Sequence, residues 1–232
     1  MSLDITGLNA GYGDTPILRD VEFSVDDGEI AGIVGRNGVG KTTLLKAIMG
    51  LLDPDTGTIR YRGDDLTTKG ADERARLGIG YVPQGRDVFP DLTVSENLLV
   101  GESIGGDGDP RYEQVYEYFP ILEERADQKA GTMSGGQQQM LAIGRALIGN
   151  PGLLLVDEPS EGVQPSIVQS ITKDLRRINE EFGTTILFVE QNLSVIQGLA
   201  DRCYAVDHGT IIDEISGEAV SERENLEEYL VV

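Results

Sequence analysis

The segment GRNGVGKTT at positions 35–43 constrains this chain more than any other stretch. It fits the spacing G-x-x-x-x-G-K-[ST], with Gly35, Gly40, Lys41 and Thr42 at the fixed positions. Directly before it, Ile30 to Val34 is continuously nonpolar and predicts a buried strand, and directly after it a helix is expected from Lys41 to about Leu51. A strand, a glycine-rich loop and a helix in that order make a cradle for phosphate. Backbone N–H groups from Gly35, Arg36, Asn37, Gly38, Val39 and Gly40 through Thr43 can curl around phosphate oxygens, and the helix N-terminus adds the positive end of its dipole. Lys41 can reach β- and γ-phosphates, and the Thr42 hydroxyl can ligate Mg²⁺.

A second site follows at LLLVDEP, 153–159, an apolar strand that ends in two adjacent carboxylates. Ligands of open α/β sheets gather at the carboxyl ends of strands, so Asp157 and Glu158 are expected beside the phosphate loop. Asp157 suits an outer-sphere partner of Mg²⁺, and Glu158 is placed to orient or deprotonate a water attacking a γ-phosphate. The third site is Met133-Ser134-Gly135-Gly136-Gln137, which opens a helix whose Met140, Ile143, Leu147 and Ile148 share one face. Ser134, the two glycines and Gln137 at a helix start form a second anion-binding turn. One nucleotide cannot easily use both turns within a monomer.

Around these sites the pattern alternates between strand and helix. Val21, Phe23 and Val25 face one way and Glu22, Ser24 and Asp26 the other, as in half-exposed antiparallel strands. Short strands are expected at Ile59 to Tyr61 and Ile79 to Val82, with buried strands at Leu153 to Val156 and Thr185 to Val189. From about 91 to 150 the pattern is helical, interrupted by a flexible segment from Gly101 to Pro110. Helices are expected at about 165–181 and from Leu193, and an acidic helix at Glu218 to Val232. Strands alternating with helices argue for a parallel sheet. The expected fold class is α/β: a P-loop NTPase core with a parallel sheet, an N-terminal antiparallel β subdomain, and an inserted helical subdomain at approximately 91–150 within a single domain 1–232.

Composition excludes several classes. With 40 Asp+Glu against 19 Lys+Arg, the formal charge is −21, spread along the chain, so no nucleic acid partner is expected. Self-repulsion of that size is tolerated where concentrated ions screen it, which suggests a salt-loving, halophilic host. No apolar stretch approaches the ~20 residues that a membrane helix needs, and Met1 to Asp4 lacks the features of a secretory signal, so the chain is expected to stay in the cytoplasm. The lone cysteine, Cys203, lies in an apolar run and reads as an inert buried thiol. The lone histidine, His208, falls in Asp207-His208-Gly209, which reads as a hairpin turn without a catalytic role.

With its three motifs in this order, the chain closely resembles the nucleotide-binding ATPase subunits of ABC transporters over essentially its whole length. MSGGQ resembles that family's signature, which commonly reads LSGGQ, with Met133 in place of Leu. The resemblance implies a single ABC-type domain that binds ATP with Mg²⁺ and pairs head to tail with a second ATPase subunit. The signature of one subunit then closes on ATP held by the other. It further implies that Tyr12 stacks on adenine, that Gln84 links the Mg²⁺ site to the membrane subunit, and that SEGVQP at 160–165 crosses the dimer interface. The family usually has a histidine after the next strand; here LFVEQN at 187–192 places Gln191 there.

That departure, with YVPQGRDVFPDLTVSENL at 81–98, resembles the smaller ATPase subunit of branched-chain amino acid importers. The urea and short-chain amide importers share much of it, and GRNGVGKTTLLK is at least as close to them. A soluble ATPase of the superfamily, as in iron-sulfur cluster assembly, is the alternative of a different class. The implied partners are integral-membrane permease subunits, a second ATPase subunit that is another copy or a relative, and a solute-binding protein, with the chain on the cytoplasmic face of the membrane.

Overall fold

The computed structural model describes residues 2–104 and 109–230. Strands β1 (Leu3–Tyr12) and β2 (Thr15–Val25) pair antiparallel, and Val21, Phe23 and Val25 are buried as the alternation predicts. Strand β3 (Ile30–Val34) is buried at all five positions and runs into helix α1 (Lys41–Met49). Strands β4 (Thr56–Tyr61) and β5 (Asp64–Asp65) complete a four-stranded antiparallel sheet in the order β2-β1-β4-β5. Helix α2 (Ala71–Arg76) and strand β6 (Ile79–Val82) precede a helical stretch of α3 (Val94–Ile104), α4 (Tyr112–Tyr118), α5 (Pro120–Glu124) and α6 (Gly135–Ile148). The chain then alternates through β7 (Leu153–Asp157), α7 (Pro165–Phe182), β8 (Thr185–Glu190), α8 (Leu193–Leu199) and β9 (Arg202–Asp207). It ends with β10 (Thr210–Ser216), α9 (Glu218–Ser221) and α10 (Arg223–Leu230).

The second sheet has the order β10-β9-β3-β8-β7-β6, parallel throughout except for the edge strand β10. Its central strands are apolar on both faces because each face meets a different core. Ile30, Leu154, Val156, Ile186 and Phe188 enter the core shared with α3 to α8. Ala31, Ile33, Leu153, Leu155, Leu187 and Val189 enter the core shared with α1 and the antiparallel sheet. Period-2 alternation therefore survives as a division between two apolar layers rather than between apolar and polar residues.

Two boundaries differ from the sequence reading. Helix α3 continues through Gly101 to Ile104 instead of breaking at Gly101. A Cβ at Gly101 would lie 2.1 Å from the Arg145 carbonyl oxygen, so this glycine admits the backbone of α6 rather than a turn. Part of the expected Gly101 to Pro110 interruption, residues 105–108, lies outside the described residues. The C-terminal helix is also split, at Glu222, whose backbone is extended. There the Asn225 side chain donates to the Ala219 carbonyl at 3.1 Å, a bond that competes with continuation of the helix. Residues 231 and 232 of the expected helix lie outside the described residues.

Cys203 is fully buried, and burial pushes its thiol up to about 12. His208 occupies the β9–β10 turn at φ +46° with its side chain 89% exposed.

Candidate active site

The loop between β3 and α1 is shaped by its glycines. Gly40 caps α1 at φ +111°, a conformation that L side chains rarely adopt, so the chain enters the helix with its first N–H groups turned toward the loop. Arg36, Asn37 and Gly38 form an exposed tip, Gly35, Val39, Gly40, Lys41 and Thr43 are buried, and Thr42 is half-buried. Lys41 folds back over the loop, its Nζ donating to the carbonyls of Gly35 at 2.8 Å and Arg36 at 2.9 Å. Burial pushes the Lys41 ammonium below its usual range, opposed by the nearby Glu158.

The parallel register delivers the acidic pair to the same place. Asp157 stands opposite Val189 at the ends of β7 and β8, and the Thr42 hydroxyl donates to Asp157 Oδ1 at 3.0 Å. Tyr81, from β6, donates its hydroxyl to Asp157 Oδ2 at 3.4 Å. Burial raises the Asp157 carboxyl, and these two hydrogen bonds oppose the shift. One residue on, Glu158 Oε1 lies 3.6 Å from Lys41 Nζ, and Gln84 Nε2 donates to Glu158 Oε2 at 3.3 Å. Burial raises the Glu158 carboxyl, against the pull of Lys41. Glu158 sits at φ +44°, a strained conformation for a non-glycine residue, and its N–H is held by the Val189 carbonyl at 3.1 Å. Lys41, Thr42, Gln84, Asp157 and Glu158 thus converge in one bonded cluster.

Among the described residues, no hydrogen bond joins the side chains of Tyr12, Ser134 or Gln137 to this cluster. Tyr12 ends β1 with half of its surface exposed. Ser134 caps α6 through a reciprocal box with Gln137: the Ser134 N–H donates to Gln137 Oε1 at 3.0 Å, and the Gln137 N–H to Ser134 Oγ at 3.4 Å. Gly135 and Gly136 form the first turn of α6. Gln191 is exposed just beyond β8, and no hydrogen bond joins its side chain to the cluster among the described residues.

Two further residues organise the site and were missed from sequence. Arg86 donates through Nη2 to the carbonyls of Glu161 at 3.1 Å and Gly162 at 2.9 Å, and its guanidinium lies against Gly135. It therefore ties the Gln84 loop to the segment after Glu158 and to the start of α6. Glu190, 1% exposed at the end of β8, accepts backbone N–H bonds from Ser160, Gln191 and Asn192. A carboxylate ending a buried strand, as Asp157 does, was the signal available for Glu190. For Arg86 the local sequence offers none. Beside Gln84 opens a groove of about 570 Å³, lined by Phe89, Val100, Ile104, Leu51 and Arg145 and reaching Asp157.

Residues 18–161 match the family described as ABC transporter. The high-affinity branched-chain amino acid transport ATP-binding protein BraG of Pseudomonas aeruginosa is 44% identical over 211 residues, 90% of each chain. A nucleotide-free ATP-binding cassette from an ABC transporter superposes with a TM-score of 0.85 at 30% identity, covering 100% of this chain and 99% of that one. A dimeric cassette in a post-hydrolysis state, bound to ADP and Pi, gives a TM-score of 0.81 at 27% identity, over 92% and 98% of the two chains. A phosphate loop closed by Lys41 and faced by Asp157 and Glu158 accords with these likenesses, and the chain belongs to the ABC transporter family as one of its ATP-binding, ATP-hydrolysing cassettes.

Proposed function

We propose that this cassette drives a branched-chain amino acid importer, and that it works as one half of a head-to-tail pair on the cytoplasmic face of the membrane. The observation that carries the catalytic part is the cluster of Lys41, Thr42, Gln84, Asp157 and Glu158 at the ends of adjacent strands. Lys41 and the N–H groups of residues 35–43 hold the ATP phosphates, with Tyr12 against the adenine. The donors offered to a cation by Thr42, Asp157 and Gln84 are all oxygens and few in number, which suits Mg²⁺, an ion that keeps several waters and takes phosphate oxygens as ligands. When bound, Mg²⁺ would neutralise charge on the β- and γ-phosphates. Glu158 accepts the proton of the attacking water, and burial makes it a stronger base than an ordinary carboxylate. Water and ATP give ADP and phosphate. Ser134, Gly135, Gly136 and Gln137 bind the γ-phosphate held by the partner cassette, a reading supported by the dimeric relative.

No helix among the described residues is long and apolar enough to cross a membrane. The groove beside Gln84 fits a permease helix: its wall carries the exposed Phe89, Ile104 and Leu51, and its floor reaches the catalytic cluster. The solute reading rests on the relative from P. aeruginosa, and a solute-binding protein completes the system. The acidic composition fits a salt-rich cytoplasm.

Glu158→Gln is expected to bind ATP as the parent does and hydrolyse it about 10²- to 10⁴-fold more slowly. Near-parental turnover by the purified variant would remove Glu158 from the role of base. In the native host, deleting the gene should abolish uptake of labelled leucine. Loss of urea or short-chain amide uptake instead, with leucine uptake intact, would overturn the solute assignment.

A further inference from the structure

The carboxylate of Glu190 is buried, but the groups it holds are not part of the core. Its Oε1 accepts the Ser160 N–H at 3.0 Å, and its Oε2 accepts the N–H groups of Gln191 and Asn192, both at 2.9 Å. Gln191 and Asn192 are exposed and Ser160 is only half-buried. Burying a charge with no apolar packing to gain is costly unless each oxygen is satisfied, and three backbone donors meet that requirement. Ser160 lies two residues beyond Glu158, and Gln191 and Asn192 open the loop after β8. One side chain therefore fixes two loops that leave the sheet side by side, since Asp157 and Val189 are register partners.

The segment it anchors also follows a strained residue. Glu158 adopts φ +44°, and such a conformation persists only where its surroundings over-determine it. From one side Arg86 holds the carbonyls of Glu161 and Gly162, and from the other Glu190 holds the Ser160 N–H.

We propose that Glu190 is a positioning residue for ATP hydrolysis, fixing the loop that follows Glu158 against the loop that carries Gln191 so that both side chains meet the same γ-phosphate. This rests on the reading of Glu158 as the base. The hydrogen bonds of Glu190 go to backbone N–H groups outside the phosphate loop, although its charge acts on both Lys41 and Glu158, so its removal is expected to bear on turnover more than on binding. A misplacement of about 1 Å can cost ~10²-fold in rate.

The test compares Glu190→Gln and Glu190→Asp with the parent and with Glu158→Gln, as purified chains at equal MgATP. Glutamine keeps the length but turns an NH₂ toward backbone donors. Aspartate keeps the charge but is one methylene too short to span both loops. Both variants are expected to bind ATP with parental affinity and to hydrolyse it 10- to 100-fold more slowly. Parental turnover in either folded variant overturns the proposal, as does an equal loss of affinity and turnover. Failure of both variants to fold also overturns it, because Glu190 would then serve the fold rather than the site. Glu158→Gln separates the two readings. If it is fast, the base assignment fails; if it is slow while the Glu190 variants are fast, only the positioning role fails.

Discussion

Beyond buried Glu190 the chain surfaces at Gln191, where the family usually carries histidine and where an amide changes the chemistry available. An amide donates and accepts at once, so it can bridge phosphate oxygen, water and Glu158 without a particular protonation state. Gln191→Ala should therefore slow hydrolysis at saturating MgATP, and parental turnover in the assembled transporter would end the idea. Gln191→His should retain activity but add a change in rate at about pH 6 to 7, where imidazole gains its proton, a feature that the parent lacks. Gln191 could be singled out from sequence because the resemblance aligned it with a histidine. Arg86 could not, since its partners lie 75 or more residues away and are backbone groups that leave no trace in side-chain pattern, and the placement of Glu190 at the end of a buried strand does not reveal its bond to the Ser160 N–H, 30 residues away.

Among the elements, α1 is held at both ends, by Gly40 and the loop at its start and by a buried arginine at its finish. Arg74, 1% exposed on α2, donates to the C-terminal carbonyls of α1, those of Ala47 at 2.7 Å and Ile48 at 2.8 Å, and to Lys69 at 2.8 Å. Arg74→Met keeps the apolar stem but removes these side-chain donors, leaving the Ala47 carbonyl with only the Gly50 N–H at 3.2 Å. At roughly 1–3 kcal/mol for a buried group left unsatisfied, and about 2–4 °C per kcal/mol in a domain of this size, the thermal midpoint should fall by about 2–12 °C. A midpoint within 1 °C of the parent would show that water replaces the guanidinium. Strands β3, β7 and β8 were legible because burial on both faces leaves unbroken apolar runs, and α6 because Met140, Ile143, Leu147 and Ile148 recur on one face. The course of α3 through Gly101 was not, because a glycine reads locally as a breaker, whereas here it admits the Arg145 carbonyl of another helix.

For the molecule as a whole, the dominant long-range term is the formal charge of −21. Arg202 alone lies within 4 Å of Asp26, Glu29 and Glu214, and with 40 Asp+Glu against 19 Lys+Arg the carboxylates far outnumber the cations that could pair with them. Their repulsion acts over a Debye length of ~30 Å at 0.01 M salt and ~3 Å at 1 M, so added KCl should stabilise the fold. The thermal midpoint is expected to climb steadily from about 0.01 M to about 1 M KCl. A flat or falling midpoint would count against repulsion as a destabilising force and against a salt-rich setting. Salt also strengthens apolar burial, so a second variant isolates the charge term. Glu113, Glu124, Glu180 and Glu218 are exposed and stand on separate helices. Changing all four to glutamine removes four negative charges and leaves the apolar core alone. If repulsion governs, the fourfold variant should melt higher than the parent at low salt, with a shallower dependence on KCl, and the two curves should meet near 1 M. Parallel curves at every concentration would instead assign the salt effect to the apolar core.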